Sequence, residues 1–354
     1  KQSETLATTP EVESPKQWLV FEGSDSNAKH IVLVSGDEEY RSEEALPQLA
    51  KILSKHHGFK CTVLFAQDPD NPGIVDGNYV KNIPGLEALD TADMMVIFTR
   101  FRALPDTQMK HIDNYLMRGK PVVGIRTATH AFNFSKDLIS NFEHYGNYYK
   151  GDKTAWKDGF GRLVLGENWI AHHGHHKHQS TRGIIAETAK SHPISNGIEN
   201  GGIWGPTDVY GVRLPLMEDS EPIVLGQVIN RKEAYDENDL FFGMRPTDTE
   251  LATENNEGFK VNDILMPIAW TKSYQIPAGK TGKAFTSTIG AASDMLNESV
   301  RRLLVNGVFW AMEIPVPEKA NVSLVGAFKP SAYGFKDDAY WDEKQLRISD
   351  LQTH

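Results

Sequence analysis

Five of the thirteen histidines fall within seven residues, in Ala171-His-His-Gly-His-His-Lys-His178. Imidazoles at this density can move protons near neutral pH or hold a divalent, zinc-like ion. In an extended chain the side chains alternate, so His172, His176 and His178 would share one face and His173, His175 and Lys177 the other. One face could then set two or three imidazoles on a metal, or on the attacking and leaving atoms of a substrate. A surface strand of solvated histidines fits the same residues equally well. A metal would need a further ligand from elsewhere, and Asp37, Glu38, His130 and Asp208 are the candidates.

Three other clusters carry chemical groups. Gly36-Asp-Glu-Glu-Tyr-Arg41 offers Asp37 as an acid or base, with Glu38, Tyr40 and Arg41 as substrate contacts; as a charge run it also reads as a solvated loop. Arg100 and Arg102 stand at i, i+2 and could clamp a carboxylate or a sugar hydroxyl edge, or be a solvated pair. Arg126, Thr129 and His130 follow a short apolar run. Arg126 is read either as a ligand contact or as an ion-pair partner of Asp37 or Glu39 that holds the turn. Trp169, beside the histidine tract, is the tryptophan best placed to stack on a sugar face. The catalytic candidates are therefore His130, His172, His176 and Asp37. The binding candidates are Glu38, Tyr40, Arg41, Arg100, Arg102, Arg126, Thr129 and Trp169.

These clusters need a scaffold, and the hydrophobic pattern supplies one. Continuous apolar runs at 31–34, 61–65, 94–98 and 121–125 predict buried parallel strands. Helices are expected between them. One has Leu46, Leu49, Ala50 and Leu53 on one face and a regular part beginning near Pro47. Another runs from Pro105 to Arg118-Gly119. Strand-helix alternation over about a hundred residues is the pattern of a doubly wound α/β sheet with right-handed crossovers. Such sheets hold ligands at the carboxyl ends of their strands, where three of the clusters fall. Residues 131–215 lack a clean period and read as an irregular insertion over that edge. Further strands are expected at 223–228, 268–271 and 284–289, a polar surface excursion at 229–262, and a helix at 294–312. The chain divides into an arm (1–28), one α/β domain (29–314) and a tail (315–354) packing through Tyr340 and Trp341.

The 354 residues carry a net charge of −10, which argues against nucleic acid or an anionic membrane as the main partner. No run of about 18 apolar residues predicts a transmembrane helix. Cys61, the single cysteine, lies in an apolar run and reads as a buried structural thiol. The polar residues 1–16 fit what remains after a signal peptide is removed, so an exported or periplasmic protein is the expectation, with the cytoplasm still open. Assembly into a homo-oligomer is compatible with all of this. No Gly-x-Gly-x-x-Gly after a strand, no Gly-x-x-x-x-Gly-Lys-Ser/Thr phosphate-binding loop and no Gly-x-Ser-x-Gly elbow is present.

Several stretches resemble the ThuA-like, or trehalose-utilisation, proteins. They are Val34-Ser-Gly-Asp-Glu-Glu-Tyr-Arg-Ser-Glu-Glu-Ala-Leu46, Phe101-Arg-Ala-Leu-Pro105, Gly124-Ile-Arg-Thr-Ala-Thr-His-Ala-Phe132, Gly161-Arg-Leu-Val-Leu-Gly166, His192-Pro-Ile194, Asp208-Val-Tyr210, Pro267-Ile-Ala-Trp270, Gly282-Lys-Ala-Phe285 and Leu304-Val-Asn-Gly-Val-Phe-Trp310. The first and third are similar to the branch common in planctomycete-type bacteria. The resemblance implies a flavodoxin-like fold of the class I glutamine-amidotransferase type. In those amidotransferases Gly-Ile-Cys-x-Gly carries the nucleophile; here Gly124 and Ile125 match and Arg126 replaces the cysteine, so glutamine hydrolysis is not expected. The resemblance further implies a small carbohydrate or oxidised sugar as partner and cleavage or isomerisation of a 3-keto glycoside as the reaction. The alternative is a non-catalytic carbohydrate-binding or regulatory module that has lost the amidotransferase nucleophile.

Overall fold

Strands covered on both faces must be apolar on both, and the runs at 31–34, 61–65 and 94–98 are built that way. In the computed structural model, which describes residues 13–353, they become the centre of a mixed sheet. Residues 1–12, most of the stretch read as a signal-peptide remnant, lie outside the described residues. The strands are β1 (Trp18–Phe21), β2 (His30–Gly36), β3 (Lys60–Phe65), β4 (Met94–Thr99), β5 (Val122–Ile125), β6 (Gln179–Ile185), β7 (Ile203–Gly205), β8 (Glu221–Asn230), β9 (Met266–Tyr274) and β10 (Gly282–Ser287). Their order is β1-β3-β2-β4-β5-β10-β9-β8-β6-β7.

The segment β3-β2-β4-β5-β10 is parallel throughout. Taken in chain order these five strands run second, first, third, fourth, fifth, which is the flavodoxin-like doubly wound arrangement. β1 closes one edge by antiparallel pairing with β3. Beyond β10 the sheet continues through the antiparallel strands β9, β8, β6 and β7. β6 and β7 fall inside the segment expected to be irregular. β6 escapes the apolar pattern because its first half is Gln-Ser-Thr-Arg. Those polar side chains are satisfied locally: Ser180 accepts from the Trp204 indole at 3.1 Å, and Thr181 donates to the Thr207 carbonyl at 2.7 Å.

Four helices cover the sheet: α1 (Ser42–His57), α2 (Asp106–Met117), α3 (Glu298–Ala311) and the tail helix α4 (Asp338–Lys344). Alternate residues of β2 face opposite layers. Ile31 and Leu33 pack with Leu46, Leu49 and Leu304, whereas Val32 and Val34 pack with Met109, Ile112 and Leu116. α1 begins at Ser42, before Pro47, so the proline sits inside the helix. α3 is shorter than its apolar pattern because Asn297 caps it, its side chain accepting from Val300 N–H at 3.0 Å. Cys61 is fully buried, and burial pushes its thiol pKa up. Among the described residues no helix is long and apolar enough to cross a membrane.

The tail returns to the carboxyl edge of the parallel strands. Trp341 is buried under the Arg41 guanidinium, 5.2 Å from its ring centre. Gly334 N–H donates to the Glu39 carbonyl at 2.7 Å, and the Tyr333 hydroxyl to the Pro206 carbonyl at 2.8 Å. Trp341→Ala is expected to destabilise the fold by about 3–5 kcal/mol, in the range for a truncated buried aromatic. The urea midpoint reads this out; a loss below about 1 kcal/mol would mean that docking of the tail contributes little.

Candidate functional site

At β2 and β4 the chain order of the parallel sheet reverses, and a cleft opens beyond the carboxyl ends of these strands. β2 runs into Asp37–Arg41, β4 into Arg100 and Phe101, and β5 into the turn Arg126–His130. The insertion adds Trp169, His172 and His176; the loop after β7 adds Asp208 and Tyr210; the tail adds Phe335. Together Glu39, Arg100, Phe101, His130, Trp169, His172, His176, Tyr210 and Phe335 line a cavity of about 160 Å3.

Asp208 sits behind this cavity, fully buried. Its carboxylate accepts from Arg126 Nη2 at 2.9 Å, from His172 Nδ1 at 2.7 Å and from His176 Nδ1 at 3.2 Å. Burial alone would raise its pKa, but the Arg126 charge and the bonds from the two histidines hold it far below the usual carboxylate range. The loop carrying it is tied down by Thr207, whose hydroxyl donates to Asp294 at 2.8 Å.

Arg126 is completely buried in the left-handed region, at φ 46°. It donates through Nη1 to the carbonyls of Asp208 (2.7 Å) and Thr288 (2.8 Å), and through Nη2 to the Tyr40 hydroxyl (3.0 Å) as well as to Asp208. Its guanidinium lies 3.7 Å from the Tyr210 ring centre and 4.5 Å from that of Tyr40. Its ion-pair partner is thus Asp208, rather than Asp37 or Glu39, and it holds the site from behind instead of facing the cavity.

The three site histidines differ in what their nitrogens touch. His172 gives Nδ1–H to a carboxylate, which can only accept, so the neutral ring keeps an unprotonated Nε2. His176 lies between two carboxylates, Nδ1 on Asp208 and Nε2 on Glu39 Oε1 at 3.2 Å. Burial opposes its charge, but the bonds to Asp208 and Glu39 win and push its pKa up to about 9, so it is an imidazolium at neutral pH. His130 is buried, and its pKa is lowered well below 6.5 by that burial and by the positive Arg100 and Arg126. The Thr129 hydroxyl, which donates to the Arg126 carbonyl, is 3.0 Å from His130 Nδ1 and can accept its proton there. His130 Nε2 is then a lone pair at the cavity wall. Gly161 backs this turn so closely that a Cβ would lie 1.9 Å from the Thr129 carbonyl oxygen.

The histidine tract does not alternate as an extended strand would. It turns at Lys177, whose φ is +65°, with His178 N–H bonded to the His175 carbonyl at 3.0 Å. His175 and His178 stack on each other at 4.1 Å, and His178 on Tyr235 at 4.7 Å, away from the cavity. The tract therefore contributes two imidazoles to the site. His172, His176 and Asp208 have ligand atoms within 4.8 Å of one another, close enough for a divalent ion. Both Asp208 oxygens and both His176 nitrogens already have hydrogen-bond partners, so an ion would have to displace some of these bonds.

Several sequence candidates turn out to build the cavity walls without reaching the cavity. Asp37 is buried and accepts from the backbone N–H of Glu39 (3.2 Å) and Tyr40 (2.6 Å). Burial, with Glu38 and Glu39 nearby, pushes it up to about 7. Glu38 bridges Arg100 and Arg102. Arg102 is fully buried and also donates to the carbonyls of Gly77 and Tyr79, so the pair clamps an internal carboxylate and only Arg100 reaches the cavity. The chain turns at Phe101, φ +47°, which breaks the i, i+2 geometry. Arg41 donates to the Glu38 and Gly334 carbonyls, and Tyr40 receives Arg126. Thr129 serves His130. Of the binding candidates, Arg100 and Trp169 line the cavity. Four lining residues were not singled out by sequence. Glu39 was visible only as part of a charge run and Tyr210 only within Asp208-Val-Tyr210; Phe101 and Phe335 carried no signal of their own.

The model of the ThuA family, described as trehalose utilisation, matches residues 30–311. Among curated proteins none matches the chain. Similar solved structures include a protein described as ThuA-like from Parabacteroides merdae ATCC 43184, with 14% identity, a TM-score of 0.45 and coverage of 87% of this chain and 98% of that one. Another, also described as ThuA-like, is from Bacteroides uniformis ATCC 8492, with 14% identity, a TM-score of 0.44 and coverage of 80% and 91%.

The charge state of His176 is the testable element of this geometry. Its pKa rises from 6.5 to about 9 on folding, so its contribution to stability is full below pH 6.5 and disappears as pH rises through about 9. Ring-resolved NMR titration should place its midpoint near 9, and Glu39→Gln should move the midpoint down toward 6.5. A midpoint at or below 6.5 in the unaltered protein would show that the two carboxylates do not hold this proton.

Proposed function

The chain belongs to the ThuA family, trehalose utilisation, and on that premise we propose a carbohydrate-processing enzyme that cleaves or isomerises a 3-keto glycoside by proton transfer. One observation carries this reading. A cavity of about 160 Å3 is walled by histidines whose surroundings drive their protonation apart, His130 kept neutral and His176 kept charged. Titratable groups separated in this way are how a site assigns base and acid.

A ketone at C3 acidifies the C2–H bond. An imidazole, His130 held by Thr129 or His172 held by Asp208, takes that proton, and the electron pair passes to the ketone oxygen as an enolate. His176 and Arg100 supply positive charge to that oxygen in a site shielded from water. The enolate re-forms the ketone as the C1–O bond to the leaving sugar breaks. The leaving oxygen gains a proton from the His176 imidazolium, and C1=C2 forms. Water then adds at C1, returning the proton to C2 and giving the free 3-keto sugar. Arg126, with all its charge turned toward Asp208 and two tyrosines, orients rather than touches substrate. No nucleophilic cysteine stands at the turn after β5, which weighs against amide hydrolysis.

The test is NMR of the full chain incubated with 3-keto-trehalose, with and without a chelator. Release of free sugar is expected, and His172→Ala should lower the rate by about 10²- to 10⁴-fold, the usual share of one general acid-base group. Binding without turnover in both proteins would favour a carbohydrate-binding module instead. Loss of turnover with chelator alone would assign the histidines to a metal ion.

A further inference from the structure

The cavity is small beside the roughly 300–1,000 Å3 of pockets that enclose drug-sized ligands. At about 160 Å3 it has room for one sugar ring and not two. The second ring of a disaccharide must then lie outside, and the mouth of the cavity is aromatic. Phe335 and Tyr148 are 58% and 55% exposed there, although large apolar side chains of a globular protein are mostly covered. Phe101 joins them: its ring is 5.9 Å from that of Tyr148 and 5.1 Å from that of His130 inside the cavity. The Arg100 guanidinium sits between Phe101 and Phe335, 4.6 and 4.7 Å from their ring centres.

Phe101 holds a positive φ of 47°, which a bulky side chain rarely adopts. Backbone strain of this kind marks positions where a side chain is aimed for a purpose. Here it aims a ring at the line running from His130 to Tyr148. It also turns Arg102 into the core, which leaves Arg100 as the one arginine of the pair at the mouth.

The geometry points to a second sugar-binding subsite on Phe101, Tyr148 and Phe335, taking the leaving-group ring of a disaccharide. Flat rings offer a surface to the axial C–H bonds of a pyranose, and Arg100 between them offers N–H donors to its hydroxyls. The inference rests on the carbohydrate reading above and narrows it: the substrate is at least two sugar units long. Tyr148 comes from the insertion and Phe335 from the tail. Two segments outside the parallel sheet thus set substrate length, while the strand ends set the chemistry.

The test is calorimetric titration of 3-keto-trehalose and methyl 3-keto-α-glucoside into the full chain carrying His172→Ala, in which turnover is slowed, with the folded state of the variant checked by its urea midpoint. The disaccharide should bind more tightly, by roughly two- to tenfold for each aromatic ring engaged. Adding Tyr148→Ala or Phe335→Ala should pull the disaccharide-to-monosaccharide affinity ratio toward one. Both rings are more than half exposed, so neither change opens the core. Equal affinity for the two ligands, or a ratio that neither substitution moves, overturns the subsite and leaves the carbohydrate reading standing. Absence of binding by both ligands overturns both.

Discussion

A carboxylate taken fully out of water is tolerated only when its charge is met, and Asp208 is met from three sides. Arg126 reaches it from the turn after β5, and His172 and His176 from the insertion. Removing any one donor would leave an under-compensated charge in the interior, which is more costly than never having buried it. The strand ends, the insertion and the loop after β7 are therefore bound to one another through a single group. The same group fixes which nitrogen of His172 carries its proton and keeps His176 charged. Site architecture and site electrostatics thus have one origin.

Arg126 shows how a doubly wound fold can change use without changing frame. The turn beyond a short parallel strand is strained and aimed at the cleft, here with φ 46° at its first residue. A nucleophile at that point would project into the cleft. The Arg126 guanidinium instead lies behind the cavity, between Tyr40 and Tyr210. The position then stops supplying a reacting atom and begins to supply orientation. The cavity wall itself carries imidazoles held by partners of different kinds: a carboxylate for His172, a hydroxyl for His130, two carboxylates for His176.

What could be read in advance follows from how local each signal is. Buried parallel strands are continuous apolar runs, so β2, β3, β4 and β5 were legible, and with them the edge where the site lies. His172 and His176 meet for a different reason than a two-residue period: the chain bends at 173–174 and both rings bond to Asp208, while the turn at Lys177 sends His178 toward Tyr235. Arg100 and Arg102 do close on one carboxylate, but it is the chain's own Glu38, and the left-handed Phe101 between them leaves Arg102 buried and only Arg100 at the cavity. Asp208 could be named as a candidate but not ranked, and Glu39 showed only as part of a charge run, because their roles depend on partners distant in the chain: Arg126 for Asp208 and His176 for both. β6 was hidden by polar side chains that are satisfied only once Trp204 and Thr207 arrive.

The tail is the part that sequence pattern left least defined, and it closes the argument about the site. Gly334 is bonded to the Glu39 carbonyl, and Tyr333 packs 5.2 Å from Tyr40 and 5.4 Å from His176. Tyr40 is the ring on which Arg126 rests. A short stretch of the tail thus touches the aromatic support of Arg126, the charged His176 and the loop bearing Glu39, and then ends the contact with Phe335 at the cavity mouth. Burial keeps His130 neutral, and the carboxylates of Asp208 and Glu39 keep His176 charged against it; the tail packs on His176 and bonds the loop that carries Glu39. The opposite charge states of the two imidazoles are therefore a property of the whole closed chain and not of the strand ends alone.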